Sequence, residues 1–244
     1  MRFLQLNSPT TLIHSSLILT VLALFNPAAP AQQLDQPAVI RGIDAAVMAR
    51  VNGITSYSVT EHYTVYHGAD QTHPTAQMTV KTTYSRSTGK SYAILSESGS
   101  ALVRHFGLET LLDNEKKINL PGNVEHSWIT SANYEMTLKP GGIQRLDGRD
   151  CIVLSIYPHQ KAPNLIVGAL WVDAHDYSIV RLEGVASQVP SIFAGTTHMM
   201  RQYANINGFA MATHARAESS TFLYGTTVVA IDYSGYTIQT KSTK

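Results

Sequence analysis

The chain has 244 residues with a formal net charge of +1, only 14% Asp, Glu, Lys and Arg, and a single cysteine. Charge this dilute and balanced argues against a nucleic-acid or acidic-polymer partner, which needs clustered Lys and Arg that the sequence lacks. Cys151 has no partner for an internal disulfide, and its setting between Arg149 and Leu154 is that of a small side chain buried in a strand.

Met1-Arg2, the apolar run Leu17 to Phe25 and the small residues Ala29-Pro30-Ala31 read as a secretory signal peptide. The apolar run is far below the roughly 20 residues that span a bilayer. Cleavage is expected after Ala31, with no cysteine there to carry a lipid. The mature product is then outside the cytoplasm, without a stable membrane span, and residues 32–244 are expected to form a single domain.

From Leu34 to Val51 the apolar positions Ile40, Ile43, Val47 and Val51 recur at three- and four-residue steps, which predicts a helix with one buried stripe. Pro37 fits its first turn, and Asn52-Gly53 is expected to end it through a left-handed glycine. Ile54 to Tyr66 alternates as a strand, with Tyr57, Val59, Tyr63 and Val65 sharing a face with Glu61. Ala76 to Tyr84 alternates again, placing Ala76, Met78, Val80 and Tyr84 on one side. A turn at Ser87 to Lys90 leads into a short strand around Tyr92 to Leu95. Helical spacing returns over Ala101 to Lys117, with Leu102, Val103, Phe106 and Leu111 as its apolar face and Gly107 weakening its middle.

Beyond about Ala132 the chain is strands and turns. Tyr134 to Leu138 and Ile143 to Leu146 are separated by Pro140-Gly141-Gly142, and Cys151 to Tyr157 follows Asp147-Gly148. Thr197 to Tyr203, Asn207-Gly208, Phe209 to Arg216, Glu218 to Leu223 and Thr226 to Tyr236 complete the run. The Asp-Gly and Asn-Gly pairs are strong hairpin signals, so an antiparallel sheet of successive hairpins is expected. Between these lie two β-branched runs, Leu170 to Val172 and Ile179 to Leu182, flanking Ala174-His175-Asp176-Tyr177. A turn centred on His175 and Asp176 would set Trp171 opposite Val180 and Ala169 opposite Leu182 on a wholly apolar face, with Leu170 meeting Arg181 and Val172 meeting Ile179 on the other.

The stretch Gly168-x-x-Trp171-Val172-Asp173-Ala174, followed by Tyr177-x-Ile179-Val180-Arg181-Leu182-Glu183-Gly184, resembles the "WVD…vRleG" hairpin of the LolA-like superfamily of periplasmic lipoprotein carriers and their relatives. The match is nearest to the branch of outer-membrane lipoprotein-sorting-like proteins. The resemblance implies an α+β fold: a curved antiparallel sheet, a half-barrel, wrapped around a few helices that plug its concave side, over roughly Leu34 to Tyr236. It also puts Arg86 near the arginine that holds the carrier's lid closed.

Motif chemistry points away from catalysis. None of the ten histidines falls in a His-x-x-x-His, Glu-x-x-His or Cys-His spacing, there is no Gly-x-Ser-x-Gly elbow, and no glycine-rich phosphate loop is present. No catalytic residue, metal or cofactor is expected.

What stands out is the supply of large apolar side chains for one sheet face. Tyr57, Val59, Tyr63, Val65, Met78, Val80, Tyr84, Ile152, Leu154, Ile156, Trp171, Val180 and Leu182 are candidates for a concave wall, with Phe106 on the plug and Met199, Met211 and Phe222 as further candidates. Meeting the helices, they would make an ordinary dry core. Incompletely packed, they would hold acyl chains of a lipid or a lipidated polypeptide. The resemblance allows two uses of such a fold: a carrier for those chains, or a sensor or scaffold that contacts a membrane-protein partner.

Overall fold

The computed structural model describes residues 34–68, 70–189, 195–221 and 225–241; the expected leader and Phe222 lie outside them. Helix α1 (Gln36–Gly53) forms where the apolar spacing places it, burying Val39, Ile43 and Val47. Pro37 sits in its first turn, where a missing N–H costs nothing. Its end differs from expectation. Gly53 does not adopt positive φ, and the chain passes directly into extended Ile54. Glycine serves there for room, because a Cβ would meet the Phe209 ring at 2.6 Å.

Among the described residues ten strands follow: β1 (Ile54–His67), β2 (Ala76–Ser85), β3 (Gly89–Gly99), β4 (Tyr134–Leu146), β5 (Arg149–Pro158), β6 (Ile166–Asp173), β7 (Ile179–Ala186), β8 (Thr197–Ile206), β9 (Phe209–Thr221) and β10 (Gly225–Thr240). They form one antiparallel sheet in the order β3-β2-β1-β10-β9-β8-β7-β6-β5-β4. The sheet is open, with β3 and β4 as its edges, and with the few helices it makes the α+β half-barrel architecture expected from the sequence. All neighbours are consecutive hairpins except β1 and β10, which pair with Tyr63 opposite Ile231 and Val65 opposite Val229. That pairing joins the first strand to the last and brings a three-stranded wing (β1 to β3) and a seven-stranded wing (β4 to β10) into one surface.

The long connection from β3 to β4 carries the plug: α2 (Ala101–Val103), a π-helical stretch (Arg104–Glu109) and α3 (Thr110–Ile118), then a 3₁₀ turn (Val124–Ser127). The π-helical stretch rotates the apolar face away from regular helical spacing. Gly107, Leu108 and Leu112 turn inward and are buried, whereas Leu102 and Phe106 are each 68% exposed. Phe106 therefore does not face the sheet, contrary to expectation.

Three further corrections concern the strands. Pro140-Gly141-Gly142 does not separate two strands but forms a bulge inside β4, with both glycines at positive φ and the register jumping between Leu138 and Ile143. In the β6–β7 hairpin Leu170 opposes Leu182, Trp171 opposes Arg181 and Ala169 opposes Glu183, one residue away from the expected pairing; only Val172 opposite Ile179 is as read. Val180 is the extra residue of a bulge, and this slip exchanges the faces of the preceding residues. Leu170 and Val172 are buried inward, while Trp171 stands half-buried on the other face beneath the Arg181 guanidinium, 5.7 Å from the ring centre.

The concave side holds two apolar clusters. Beneath α1, Val39 and Ile43 pack on Met136, Ile152, Leu154, Ile156, Leu170, Val172 and Leu182. Beneath the plug, Leu108 and Leu112 pack on Tyr63, Val65, Ala76, Met78, Val80 and Val229. Tyr177, at φ 58° in the β6–β7 turn, docks against α1 where Gly42 leaves space; a Cβ there would meet its ring at 2.5 Å. The helix is thereby fixed over the sheet, and the region between the two clusters is left unfilled.

Candidate functional site: a cavity between the two clusters

A cavity of about 420 Å³ lies between α1, the middle strands of the sheet and the segment following α3. This volume falls in the range of small-molecule sites, roughly 300–1,000 Å³. Its origin can be traced to side-chain size. Ala46 and Ala49 on α1 and Ala210 and Ala212 on β9 line it, four positions where a larger residue would close the space. Around them stand aromatic rings: Tyr57, Tyr84, Trp128, Tyr134, Tyr203, Phe209, Tyr233 and Tyr236. Tyr57 stacks on Tyr84 with ring centres 5.0 Å apart and meets Tyr236 at 6.0 Å, so three strands contribute to one aromatic wall. The Tyr236 hydroxyl is held by donation to the Ala212 carbonyl at 2.8 Å.

The lining is not purely apolar. Glu61, Lys90, Glu115, Arg50, Asp176 and Arg201 also border the cavity. The carboxylates are all engaged. Glu61, 2% exposed, accepts the Tyr63 hydroxyl at 2.5 Å. Glu115 accepts Lys90 Nζ at 2.9 Å and Asn119 Nδ2 at 3.3 Å, and Asp176 Oδ1 accepts the Ser178 amide at 2.8 Å. The Lys90 ammonium holds the Glu115 carboxyl below its ordinary range. Burial alone would depress the Lys90 pKa, but Glu115 and the neighbouring tyrosines outweigh it and raise it well above the usual lysine value. Burial pushes Tyr134 up to about 12 and raises Tyr84, Tyr233 and Tyr236 as well, so these phenols stay protonated near neutrality.

Arg86 lies outside the cavity lining but fixes the helix that roofs it. Its Nη2 donates to the carbonyls of Val51 and Ile54, the latter at 2.7 Å, tying the α1–β1 junction to the end of β2. The Val51 carbonyl belongs to the last turn of α1, where a cation is favoured, and the Ile54 carbonyl opens β1.

The wall candidates read from sequence separate into three groups. Tyr57, Val59, Tyr84 and Leu182 line the cavity. Tyr63, Val65, Met78 and Val80 are sealed beneath the plug, and Ile152, Leu154 and Ile156 beneath α1, as packed core. Trp171 and Phe106 lie elsewhere: the first on the opposite sheet face, the second on the exposed side of the plug. Val180 is buried at its bulge but belongs to neither inner cluster. Of the further candidates, Met211 borders the cavity and Met199 packs at the edge of the α1 cluster.

Sequence reasoning missed the polar members Arg50, Lys90, Glu115 and Arg201 and the aromatic residues Trp128, Tyr134, Tyr203, Phe209, Tyr233 and Tyr236. One signal was present: Glu61 shares its face with four apolar residues, and a carboxylate in that position requires polar company. A second was the run Ala210, Ala212, Ala215 and Ala217 along one strand, too small to fill a wall. Among the described residues that line the cavity there is no histidine or cysteine, and no group of His, Cys, Asp and Glu in the described chain has the arrangement of a metal site. No described helix is long and apolar enough to cross a membrane.

At the level of sequence, no family model and no curated protein matches the chain. In structure the chain is similar to a LolA superfamily protein from Nitrosomonas europaea, at 11% identity over 84% of this chain and 94% of that one, with a TM-score of 0.46. It is similar also to an outer membrane lipoprotein-sorting protein domain from Vibrio parahaemolyticus, described as putative, at 13% identity over 83% of this chain and 92% of that one, with a TM-score of 0.46. A DUF1329 family protein from Desulfovibrio piger aligns at 14% identity over 84% of this chain and 95% of that one, with a TM-score of 0.42.

Proposed function

We propose that residues 32–244 are a single periplasmic domain that carries an amphiphile, a lipid or the acyl end of a lipidated polypeptide, in the cavity under α1, by non-covalent exchange. The observation that supports this is the cavity itself, about 420 Å³ of unfilled space with an aromatic wall, inside a half-barrel whose remaining concave surface is closely packed. An acyl chain entering it gains roughly 0.8 kcal/mol per buried CH₂ without needing polar contacts along its length. The sequence supplies the address and the hairpin resemblance. Mass spectrometry of organic extracts of the mature chain purified from its periplasm, followed by titration with a fluorescent fatty acid, tests the reading. Recovered lipid and saturable uptake are expected; a protein with neither is not a carrier.

A sensor that binds a membrane-protein partner is a second reading. Four large apolar side chains favour it: Ile94 and Leu95 on edge strand β3, and Leu102 and Phe106 on the plug, all exposed. Its mark is a stoichiometric protein complex that forms without lipid.

A further inference from the structure

The cavity's cations are not used equally. Lys90 is neutralised by Glu115 at 2.9 Å, and each lining carboxylate has a donor of its own. Among the described residues, neither lining arginine makes an ion pair; Arg50 lies near Tyr84, and Arg201 borders the cavity near Tyr203 and Tyr233, with the already engaged Glu115 in range. Its cross-strand neighbours are Leu182 and Ala215, neither of which can offer it a charge. A guanidinium carries five N–H donors in a flat fork that matches a carboxylate or phosphate, and desolvating one without an anion is costly.

We infer that the amphiphile held in this cavity carries an anionic headgroup, carboxylate or phosphate, and that Arg201 is the residue that selects it. This rests on the carrier reading and adds to it a ligand class. The acyl chain runs along the Tyr57–Tyr84–Tyr236 wall, and the head meets Arg201 with the Tyr203 and Tyr233 hydroxyls as neutral donors beside it. A neutral or cationic head leaves the guanidinium desolvated without a counter-charge. Arg201 therefore discriminates between heads, while the aromatic wall binds chains of any kind.

The test is displacement of a bound fluorescent fatty acid by dodecanoate, dodecyl phosphate, 1-dodecanol and dodecyltrimethylammonium, below their aggregation limits, on the mature chain, Arg201→Gln, Arg201→Lys and Arg50→Gln. On the unaltered chain the two anions are expected to bind on the order of 10- to 100-fold more tightly than the alcohol, the gain of a hydrogen bond to a charged group. Their relative order distinguishes a fatty-acid head from a phosphate head. Arg201→Gln should bring all four within about threefold without weakening the alcohol, whereas Arg50→Gln, at the other lining guanidinium, should leave the preference for anions in place. Arg201→Lys should keep the sign of the preference with a smaller ratio, and it serves alone if Arg201→Gln does not fold. Equal binding of anions and alcohol by the unaltered chain, or an undiminished preference in a folded Arg201→Gln protein, overturns the assignment and leaves the carrier reading intact. Failure of every amphiphile to bind removes both.

Discussion

Two parts of one concave surface, built from the same strands, have been given opposite treatments. Beneath the plug, β1, β2 and β10 present Tyr63, Val65, Met78, Val80 and Val229, and Leu108 and Leu112 close over them. A few residues further along the same strands, the inward positions become Tyr57, Val59, Glu61, Tyr84 and Tyr233, and the helix opposite presents alanines at 46 and 49. The strand pattern alone does not decide whether a greasy face becomes core or cavity. What decides is the size of the side chains on the covering element and across the sheet.

The comparison predicts its largest effects where packing is complete. Leu108→Ala and Met78→Ala each remove a fully buried side chain from the sealed cluster, and each should cost about 2–5 kcal/mol in denaturant unfolding. Amphiphile uptake by the folded fraction should be unchanged. If either variant gains uptake instead, the sealed cluster is continuous with the cavity and the division between them is wrong.

Next in size is the ion pair at the boundary. Glu115→Gln leaves the Lys90 ammonium without its carboxylate in a largely dehydrated position; side-chain exposures of 14% and 27% moderate the cost to about 2 kcal/mol. The pair also sets a pH dependence. The Glu115 pKa is lowered from an ordinary 4.5, so its contribution is present above that value and is lost as pH falls through the lower folded one. The Lys90 pKa is raised above 10.5, so its contribution is present below 10.5 and is lost as pH rises through the higher folded one. Stability from the pair should be level across the neutral range and fall at both extremes, and Glu115→Gln should flatten the acid limb in melting temperature against pH.

How much of this could be read in the chain depends on the reach of each interaction. The helix stripe of Ile43 and Val47, the alternation of β1 and β2 and the hairpin order are local, and the local spacing of apolar residues expressed them directly. Trp171 was misplaced because a single extra residue, Val180, inverts the faces of a strand while leaving its composition untouched. Phe106 was misplaced because six π-helical residues shift the inward face by a residue, which a regular helical count does not register. Arg201 and Tyr233 reach the site only through the β1–β10 pairing and the strands beyond it, contacts whose partners are far apart in sequence. Gly168 and Gly184 illustrate a motif visible before its reason. They face each other across β6 and β7, and a Cβ on either would fall 2.1 Å from a carbonyl oxygen of the other strand.

The open region should respond to filling where the sealed one responds to emptying. Ala212→Leu puts three carbons into existing space, so stability should change by less than about 1 kcal/mol while uptake of a fatty acid falls at least tenfold. A filled cavity that still takes up lipid would place the binding surface elsewhere on the molecule.

The smallest expected effect on stability tests the exposed side of the plug. Leu102 and Phe106 are each 68% exposed and contribute to neither inner cluster, so the double substitution Leu102→Ser, Phe106→Ser should shift unfolding by only about 0.5 kcal/mol, as surface changes do. Uptake should also be unaltered, because these side chains border no part of the cavity. A sensor or a docking carrier needs the same surface for a partner, and then the double variant loses a protein complex that the unaltered chain forms. Loss of the complex with retained uptake would separate holding the cargo from delivering it, and would assign the first to the aromatic cavity and the second to the plug.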